Sequence, residues 1–360
     1  MKAARFYAAG DIRVEDVDPP RATNDKVLVE VEWCGICGSD LNEYVRGPYA
    51  IPDEKNGPHH ITGEMLPVTL GHEFSGRVVR APPTSSLVPG QPVAIDPRFF
   101  CSSCPACKET ATNCCRHVGS LGLSGGGGGL SEMVSVHPAM LHPLPEGTDL
   151  AAAALIEPLA VAWRAVKRSG LSNLKNASVL VIGAGPIGVA TVFVLKAEGC
   201  DMILVSEKAA RRREFLADVV HAAFDPTEVN IVEKCRELTG GAGVEIVIDC
   251  AGAQSGFEHG CDSLRVHGTY INLAIPKAPA TLPFQHFLLK ELTFKTFLAY
   301  DETDFKEVVA AFGSGRFAGV EKMITRRISL DEIVEKGFKE LTENPGDHIK
   351  IIASPKIRLL

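Results

Sequence analysis

The sequence carries little positive charge relative to negative charge. Its 37 lysines and arginines are outnumbered by 44 aspartates and glutamates, which gives a net charge of −7 at pH 7. A protein that binds nucleic acid usually presents a basic face, so this balance argues against nucleic acid as a partner. The start of the chain also lacks the apolar core of an export signal, because the residues from Met1 to Tyr7 lead directly into a strand-like segment.

Long hydrophobic runs are scarce as well. The longest apolar stretch extends from Val179 to Leu195 and is interrupted by three glycines and one proline. A membrane-spanning helix needs about 20 consecutive, mostly apolar residues. The stretch is better explained as a strand, a turn and a helix, and we expect no association with a membrane.

Cysteine, by contrast, is well represented. The chain has 11 cysteines, an odd number, and shows no export signal. We expect a cytoplasmic protein whose thiols stay reduced. In that compartment clustered cysteines are better explained by metal binding than by disulfides.

The pattern of predicted elements changes near residue 150. Before that point, segments such as Val27–Trp33 and Phe74–Val79 predict strands, and glycine and proline separate them closely. After it, buried-strand runs such as Ser178–Ile182 and Met202–Ser206 alternate with helical segments, which predicts an α/β fold with a parallel, doubly wound sheet. Further predicted elements are helices at 151–169, 304–312 and 331–342 and strands at 244–249, 268–273 and 349–353.

A glycine-rich turn follows the first of these buried strands. Gly183, Gly185 and Gly188 form a GxGxxG pattern that encloses Pro186 and Ile187 and opens a predicted helix. The glycines permit a tight turn, a close approach to a pyrophosphate and close packing of the helix on the strand. The helix N-terminus then offers unpaired N–H groups to the phosphates. This pattern predicts a dinucleotide site, and the alternative is a packing turn without a ligand.

An acidic residue strengthens this interpretation. Glu207 lies at the end of the next predicted strand, 19 residues beyond Gly188, where a carboxylate would bind the ribose hydroxyls. Because it would repel a 2′-phosphate, NAD is favoured over NADP. Arg212 is a candidate contact to the cofactor. For it and its cationic neighbours the alternative is a solvated helix face.

Four cysteines follow the compact pattern C-x2-C-x2-C-x7-C. They are Cys101, Cys104, Cys107 and Cys115. Four thiolates at such short spacing suit a closed, tetrahedral zinc site that holds a loop. Cys114 is adjacent to the last of them, so spacing alone leaves the fourth ligand open between the two.

A second set of metal-ligand residue types is more scattered. Cys37 is followed some 35 residues later by His72 and Glu73. A thiolate, an imidazole and a carboxylate suit a catalytic zinc, which takes three protein ligands and leaves one position open. Glu157 is a further candidate, because a carboxylate in an apolar run is unfavourable unless it is paired or metal-bound. Taken alone, His72 is more readily explained as a satisfied polar residue than as a metal ligand.

In this order, these motifs resemble those of the zinc-containing medium-chain alcohol and polyol dehydrogenases. The resemblance covers almost the whole chain. It depends on the strings C-G-I-C-G-S-D at 34–40, G-H-E at 71–73 and E-P-L at 157–159, together with the four-cysteine pattern and the glycine-rich turn. Within this family the chain is most similar to the 2,3-butanediol dehydrogenases, which also share its insertion at 46–66.

The resemblance implies a GroES-like, β-rich catalytic zinc domain at 1–155 and 300–360 and a Rossmann domain at 156–299. It also implies roles for the site residues. Cys37 and His72 would bind a catalytic zinc, and either Glu73 or Glu157 would complete the shell. The four clustered cysteines would bind a structural zinc.

Two neighbours of Cys37 are implied to assist. Asp40 would hold the ring of His72 in its metal-binding tautomer, and Ser39 would take the proton from the substrate hydroxyl. Many relatives have a histidine two residues after this aspartate, where the present chain has Asn42. An amide cannot titrate near pH 7, so we expect the proton relay to end in ordered water or in another group.

The implied activity is hydride transfer between NAD and a secondary alcohol or vicinal diol, or the matching ketone. The alternatives are a sorbitol- or xylitol-type polyol dehydrogenase, a specialised biosynthetic ketone reductase, and a catalytically silent protein that binds zinc and cofactor. Relatives imply a homodimer or a homotetramer.

Overall fold

The computed structural model describes residues 1–21, 23–171, 173–276 and 279–357. They form two compact units. The first consists of Met1–Glu157, Asp301–Pro345 and the segment that begins at Lys350, and the second consists of Pro158–Tyr300 and Gly346–Ile349. The short segment 346–349, which the sequence analysis assigned to the catalytic domain, therefore belongs to the second unit. Residues 358–360 of that predicted domain lie outside the described residues.

The strands are β1 (Lys2–Ala8), β2 (Asp11–Asp16), β3 (Val27–Gly35), β4 (Val68–Thr69), β5 (Glu73–Arg80), β6 (Pro92–Ile95), β7 (Arg98–Phe99), β8 (Gly119–Ser120), β9 (Met133–Val136), β10 (Leu141–Pro143), β11 (Ser178–Ile182), β12 (Met202–Ser206), β13 (Ala222–Phe224), β14 (Val244–Asp249), β15 (Leu264–Asn272), β16 (Thr293–Thr296), β17 (Ile324–Ser329) and β18 (Lys350–Ser354).

The α-helices are α1 (Gly38–Arg46), α2 (Pro105–Lys108), α3 (Leu150–Ala153), α4 (Ile156–Lys167), α5 (Pro186–Ala197), α6 (Ala210–Leu216), α7 (Ile231–Leu238), α8 (Gln254–Ser263), α9 (Phe284–Lys290), α10 (Glu302–Gly313) and α11 (Glu340–Glu343). Short 3-10 turns cover Thr112–Cys114, Pro138–Met140, Val320–Met323 and Leu330–Glu332, and a π-helix covers Ile333–Lys339.

The first unit is rich in β-structure. Its main sheet has the order β10-β6-β5-β3-β18-β17, and β9 also pairs with β3. On β3 the side chains of Val27, Val29 and Val31 are buried, while the residues between them are partly exposed. This alternation is what a strand with one face on the core requires. The β-rich unit places β5 and β18 on either side of β3.

The second unit contains a parallel six-stranded sheet. Its strand order is β13-β12-β11-β14-β15-β16, with helices between successive strands. Every residue of β11 is buried, and all but the first of β12, as expected for central strands covered on both faces. The α/β fold class predicted from the sequence is confirmed. None of the helices in the described part of the chain is long and apolar enough to cross a membrane.

Candidate active site

Three side chains of metal-binding type converge in the first unit. Cys37 caps the N-terminus of α1, and Glu73 begins β5 directly after His72. The antiparallel pairing of β3 with β5 sets Gly35 opposite Glu73 and so brings the two segments together. The sulfur of Cys37, a ring nitrogen of His72 and a carboxylate oxygen of Glu73 all lie within 4.8 Å of one another.

Asp40 lies beside two members of this group. Its Oδ2 accepts a hydrogen bond from the backbone N–H of Cys37 at 2.9 Å, and its Oδ1 lies 3.5 Å from Nδ1 of His72. The other ring nitrogen, Nε2, therefore points away from the aspartate and lies 3.1 Å from Oγ of Ser39. Burial lowers the pKa of His72, but the charges of Asp40 and Cys37 outweigh burial and leave this pKa well above its usual value.

Lys350 forms a buried ion pair with Glu73. Its Nζ lies 2.9 Å from Oε1 and 2.6 Å from Oε2, and both side chains are about 1% exposed. Burial lowers the pKa of Lys350, but the charge of Glu73 outweighs it and the pKa is raised overall. The sequence motifs predict no role for this residue. The signal that could have found it is a lone charge inside the apolar run of the last predicted strand.

Glu157 lies outside the group of three. It is in the first turn of α4, half-buried, and it contributes to the field that raises the pKa of Lys350. The choice between Glu73 and Glu157 as zinc ligand stays a prediction, with Glu73 the better placed of the two.

Asn42 lies on α1, and its Oδ1 accepts a hydrogen bond from Arg46 at 3.3 Å.

The four clustered cysteines also converge. The sulfurs of Cys101, Cys104, Cys107 and Cys115 lie within 4.8 Å of one another. The sulfurs of Cys101 and Cys115 are 3.5 Å apart, and those of Cys104 and Cys107 are 3.6 Å apart. Ligands about 2.3 Å from a tetrahedral zinc would be roughly 3.8 Å apart. Backbone N–H groups of Cys101 and His117 donate to the sulfur of Cys115. Cys114, the alternative fourth ligand, is exposed and not part of the group.

The thiols of this cluster differ in acidity. Hydrogen bonds from Ser103 lower the pKa of Cys101 to about 5, whereas burial, together with Cys115 and Cys104, raises the pKa of Cys107 to about 12. Four adjacent thiolates repel one another, so a bound dication is needed for all of them to be deprotonated together. All eleven cysteines of the chain are free.

Both donor sets fit zinc. One is an all-thiolate tetrahedral set, as in structural sites, and the other is a mixed set of sulfur, nitrogen and oxygen with one position left open, as in catalytic sites. The aspartate behind His72 is the kind of partner that fixes a metal-binding imidazole.

The glycine-rich turn lies in the second unit, between β11 and α5. A Cβ on Gly188 would overlap the backbone oxygen of Gly183, so close packing of the helix on the turn requires glycine there. Gly185 caps the N-terminus of α5, which begins with Pro186 and Ile187. A Cβ on Gly185 would meet only a guanidinium nitrogen of Arg212, at 3.7 Å, so this side of the turn is open to a phosphate.

Glu207 and Arg212 flank this turn. Glu207 follows β12, and its carboxylate accepts hydrogen bonds from the N–H groups of Ala184, at 2.6 Å, and Ala209, at 2.8 Å. Arg212 donates from two nitrogens to the backbone oxygen of His348, and burial lowers its pKa. The half-buried guanidinium of Arg212 is thus held beside the turn. This position differs from the alternative interpretation, in which Arg212 lies on a solvated helix face.

Comparisons with known proteins agree with these features. Residues 23–146 match the family model described as the alcohol dehydrogenase GroES-like domain, and residues 186–314 match the one described as zinc-binding dehydrogenase. The chain is 37% identical to the (R,R)-butanediol dehydrogenase of Neisseria gonorrhoeae, over 99% of this chain and 100% of that protein. It is 30% identical to D-xylulose reductase A of Aspergillus oryzae, over 95% of this chain and 94% of that protein.

A solved structure is also similar. The crystal structure of 2R,3R-butanediol dehydrogenase from Bacillus subtilis matches with a TM-score of 0.91 and 34% identity, over 99% of each chain. The chain therefore belongs to the zinc-containing alcohol dehydrogenase family, as the sequence motifs predicted. Like the other members, it is an oxidoreductase that uses zinc and a nicotinamide cofactor.

Proposed function

We propose that the protein interconverts a vicinal diol of the 2,3-butanediol type and the matching hydroxyketone, with NAD as the cofactor. The full-length likeness to two (R,R)-butanediol dehydrogenases, at 37% identity in sequence and a TM-score of 0.91 in structure, carries this proposal. The alternative of a polyol dehydrogenase has weaker support, because the identity to a D-xylulose reductase is only 30%.

The site residues have the following proposed roles. Cys37, His72 and Glu73 bind the catalytic zinc, and Glu157 is the alternative carboxylate ligand. The structural zinc is bound by Cys101, Cys104, Cys107 and Cys115. When bound, the catalytic zinc supplies a Lewis acid for the substrate oxygen, and the nicotinamide supplies the hydride acceptor or donor.

Ser39 handles the substrate proton in this proposal. Its hydroxyl lies 3.1 Å from the metal-facing nitrogen of His72, so the hydroxyl is at the edge where a substrate oxygen would bind. During oxidation Ser39 accepts the hydroxyl proton as its own proton moves on. Asn42, on the same helix, can relay it only through water, because its amide does not titrate.

The glycine-rich turn and its neighbours bind the dinucleotide. Gly183, Gly185 and Gly188, with Pro186 and Ile187, bind the pyrophosphate at the N-terminus of α5, and Arg212 balances its charge. Glu207 binds the adenosine ribose. Its carboxylate accepts two backbone N–H bonds, and an acidic side chain at this position disfavours the 2′-phosphate of NADP.

We also propose that the protein is a homo-oligomer of the cytoplasm. In the second unit, α9 exposes Phe284, Leu288 and Leu289, each more than 70% accessible, beside the edge strand β16. Apolar side chains clustered at a sheet edge are typical of a surface covered by a second subunit. Light scattering would report twice or four times the 38.5 kDa of one chain.

The eleven free cysteines suit a reducing compartment.

A substrate panel tests the proposed activity. Zinc-loaded protein is mixed with NAD or NADP and with (R,R)-, (S,S)- or meso-2,3-butanediol, sorbitol or xylitol, and formation of the reduced cofactor is followed by absorbance. We expect kcat/KM for one butanediol isomer to exceed that for either polyol by at least about tenfold. A preference for sorbitol or xylitol would favour the polyol dehydrogenase instead.

A pair of cysteine variants separates catalysis from folding. Cys37→Ala should remove one zinc per chain and abolish turnover. Cys34→Ala, at a buried thiol three residues away, should retain both zinc ions and most activity. A catalytically silent protein would show cofactor binding without turnover on any member of the panel.

A further inference from the structure

The π-helix Ile333–Lys339 packs against the segment that carries Cys37. Gly337 and Phe338, two consecutive residues of this helix, are both buried and approach opposite ends of the segment 36–44. π-Helices are rare, and many of them occur at functional sites. Because the segment 36–44 includes Cys37 and most of α1, the contact lies on the thiol side of the candidate catalytic site.

Gly337 leaves room for the side chain of Ile36. A Cβ on Gly337 would lie 2.8 Å from Cδ1 of Ile36, a distance that real Cβ atoms essentially never show. The Cδ1 atoms of Ile328 and Ile333 would each lie 3.3 Å from the same Cβ, and Ile36 itself is only 2% exposed. Since a close-packed interior transmits strain, a larger residue at 337 would displace Ile36, and Cys37 is the next residue along the chain.

Phe338 contacts the other end of the same segment. Its side chain is fully buried and meets Tyr44 on α1, with the ring centroids 5.3 Å apart and the rings inclined at 49°. Aromatic pairs in such tilted arrangements add to the stability that burial provides. Tyr44 lies about two helical turns beyond Cys37. The π-helix therefore contacts the segment on both sides of the residues that bind the metal and handle the proton.

We propose that Gly337 is a positioning residue for Cys37. The inference depends on the proposed catalytic zinc site and deepens it. The glycine lets Ile36 pack fully into the core, and this packing fixes the Cys37 sulfur relative to the other candidate ligands. A displacement of 1 Å, even one caused far from the chemistry, can reduce the rate about a hundredfold. A methyl group added at residue 337 would therefore reach the metal site through Ile36.

Absorption by the cobalt-loaded protein tests this role. Cobalt(II) absorbs in the near ultraviolet through its bonds to thiolate sulfur, and the part of this absorption that Cys37→Ser removes reports the bond to Cys37. We expect Gly337→Ala to shift this Cys37-dependent absorption and to lower kcat about tenfold, less than for a displacement of 1 Å. The absorption that remains in Cys37→Ser, from the four clustered cysteines, should stay unchanged when Gly337→Ala is added.

Ile36→Val provides a rescue, because it deletes the Cδ1 atom that the added Cβ would meet. The exchange conserves the total volume of the contact, and cores tolerate such exchanges best. The double variant with Gly337→Ala and Ile36→Val should therefore regain the absorption and the kcat of Ile36→Val alone. A shift that persists in the double variant would overturn the inference, since the alanine would then act by loosening the unit in general.

Gly260 on α8 offers a matched control in the second unit. A Cβ there would lie 2.7 Å from Tyr270 and 2.9 Å from Ile182, so this glycine is as crowded as Gly337. Gly260→Ala should lower the unfolding temperature and leave the Cys37-dependent absorption unchanged. Should Gly337→Ala fail to fold, Phe338→Leu tests the same brace at its other contact and should shift the same absorption.

The possible failures are distinguishable. An unchanged Cys37-dependent absorption in Gly337→Ala, or in Phe338→Leu where that variant replaces it, would overturn the inference. Absence of this absorption from the unmodified protein would instead overturn the zinc assignment itself. Absence of turnover alone would contradict the proposed function, while the absorption would still decide the role of Gly337.

Discussion

The four-cysteine group and the Cys37 group present similar ligand atoms in different surroundings. The four cysteines lie within 15 consecutive residues, and the sulfur of Cys115 accepts hydrogen bonds from two N–H groups of the same loop. Cys37, His72 and Glu73 come from two segments, and the side chains of Asp40 and Lys350 contact them from behind.

This difference suits the two proposed zinc sites of the first unit to unlike chemistry. A complete set of four thiolates leaves no position for a substrate and can only stabilise the loop. A set of three ligands leaves one coordination position open for a substrate. In the Cys37 group, the side chains of Asp40 and Lys350 contact the candidate ligands from behind. The predictions below change one group at a time, beginning with the largest expected effect.

The four-cysteine group should control stability more than turnover. We expect Cys107→Ser to lower the unfolding temperature by roughly 10 °C, because losing a structural metal removes several kcal/mol, and each kcal/mol shifts the midpoint by about 2–4 °C for a domain of this size. Calorimetry and a zinc count measure this. Cys114→Ser, at the exposed neighbouring cysteine, should change neither the unfolding temperature nor the zinc count. Loss of zinc in this variant would show that Cys114, and not Cys115, is the fourth ligand.

The Cys37 group should depend on the carboxylate behind it. We expect Asp40→Asn to reduce kcat/KM by about 10–100-fold, because the amide no longer fixes His72 as a carboxylate does. Asp304→Asn is a matched control, since Asp304 also accepts the N–H of its helix cap, Asp301, at 2.9 Å. It should lower stability without affecting the catalytic zinc. Equal losses in the two variants would mean that Asp40 acts only as a helix cap.

The cofactor site of the second unit should be sensitive to charge. We expect Glu207→Gln to lower kcat/KM for NAD by roughly tenfold, which is the effect of losing one charge-assisted hydrogen bond. The ratio of kcat/KM with NAD to kcat/KM with NADP should fall as well. Steady-state kinetics with both cofactors measure the ratio. Asp225→Asn, at the acid that follows the neighbouring strand β13, serves as the control and should leave the ratio unchanged. An unaltered ratio in Glu207→Gln would remove Glu207 from cofactor selection.

The smallest effect is expected at Asn42. Asn42→His adds an imidazole with an ordinary pKa of about 6.5 to the helix that carries Ser39. We expect a rise in kcat of a few fold above that pH, when the ring is neutral and can accept the proton, and an additional inflection in the pH profile. Asn56→His, in the exposed insertion, controls for the added ring. A profile that matches the unmodified enzyme would show that the relay does not pass residue 42.

Much of the second unit follows from local sequence. The strands predicted at 178–182, 202–206 and 244–249 have those bounds in the structure, because short β-branched runs between turn residues favour buried strands. The helix predicted at 151–169 is instead divided into α3 and α4. Pro158 explains why a new helix, α4, begins at this point, since proline is favoured in a first helical turn and disfavoured in a helix interior.

The outer contacts of the sites could not be predicted in this way. The spacing of the four cysteines is local, so sequence alone identified the group. The pair of Lys350 with Glu73 joins residues 277 positions apart and depends on β3, β5 and β18 being neighbours. The helix predicted at 331–342 likewise consists of a 3-10 turn, a π-helix and α11.

The most direct test of the two-zinc account is a crystal structure with anomalous scattering collected at the zinc absorption edge. The account predicts two peaks per chain, one among the sulfurs of the four clustered cysteines and one between Cys37, His72 and Glu73. A single peak at the four cysteines, or a second peak away from Cys37, would contradict it.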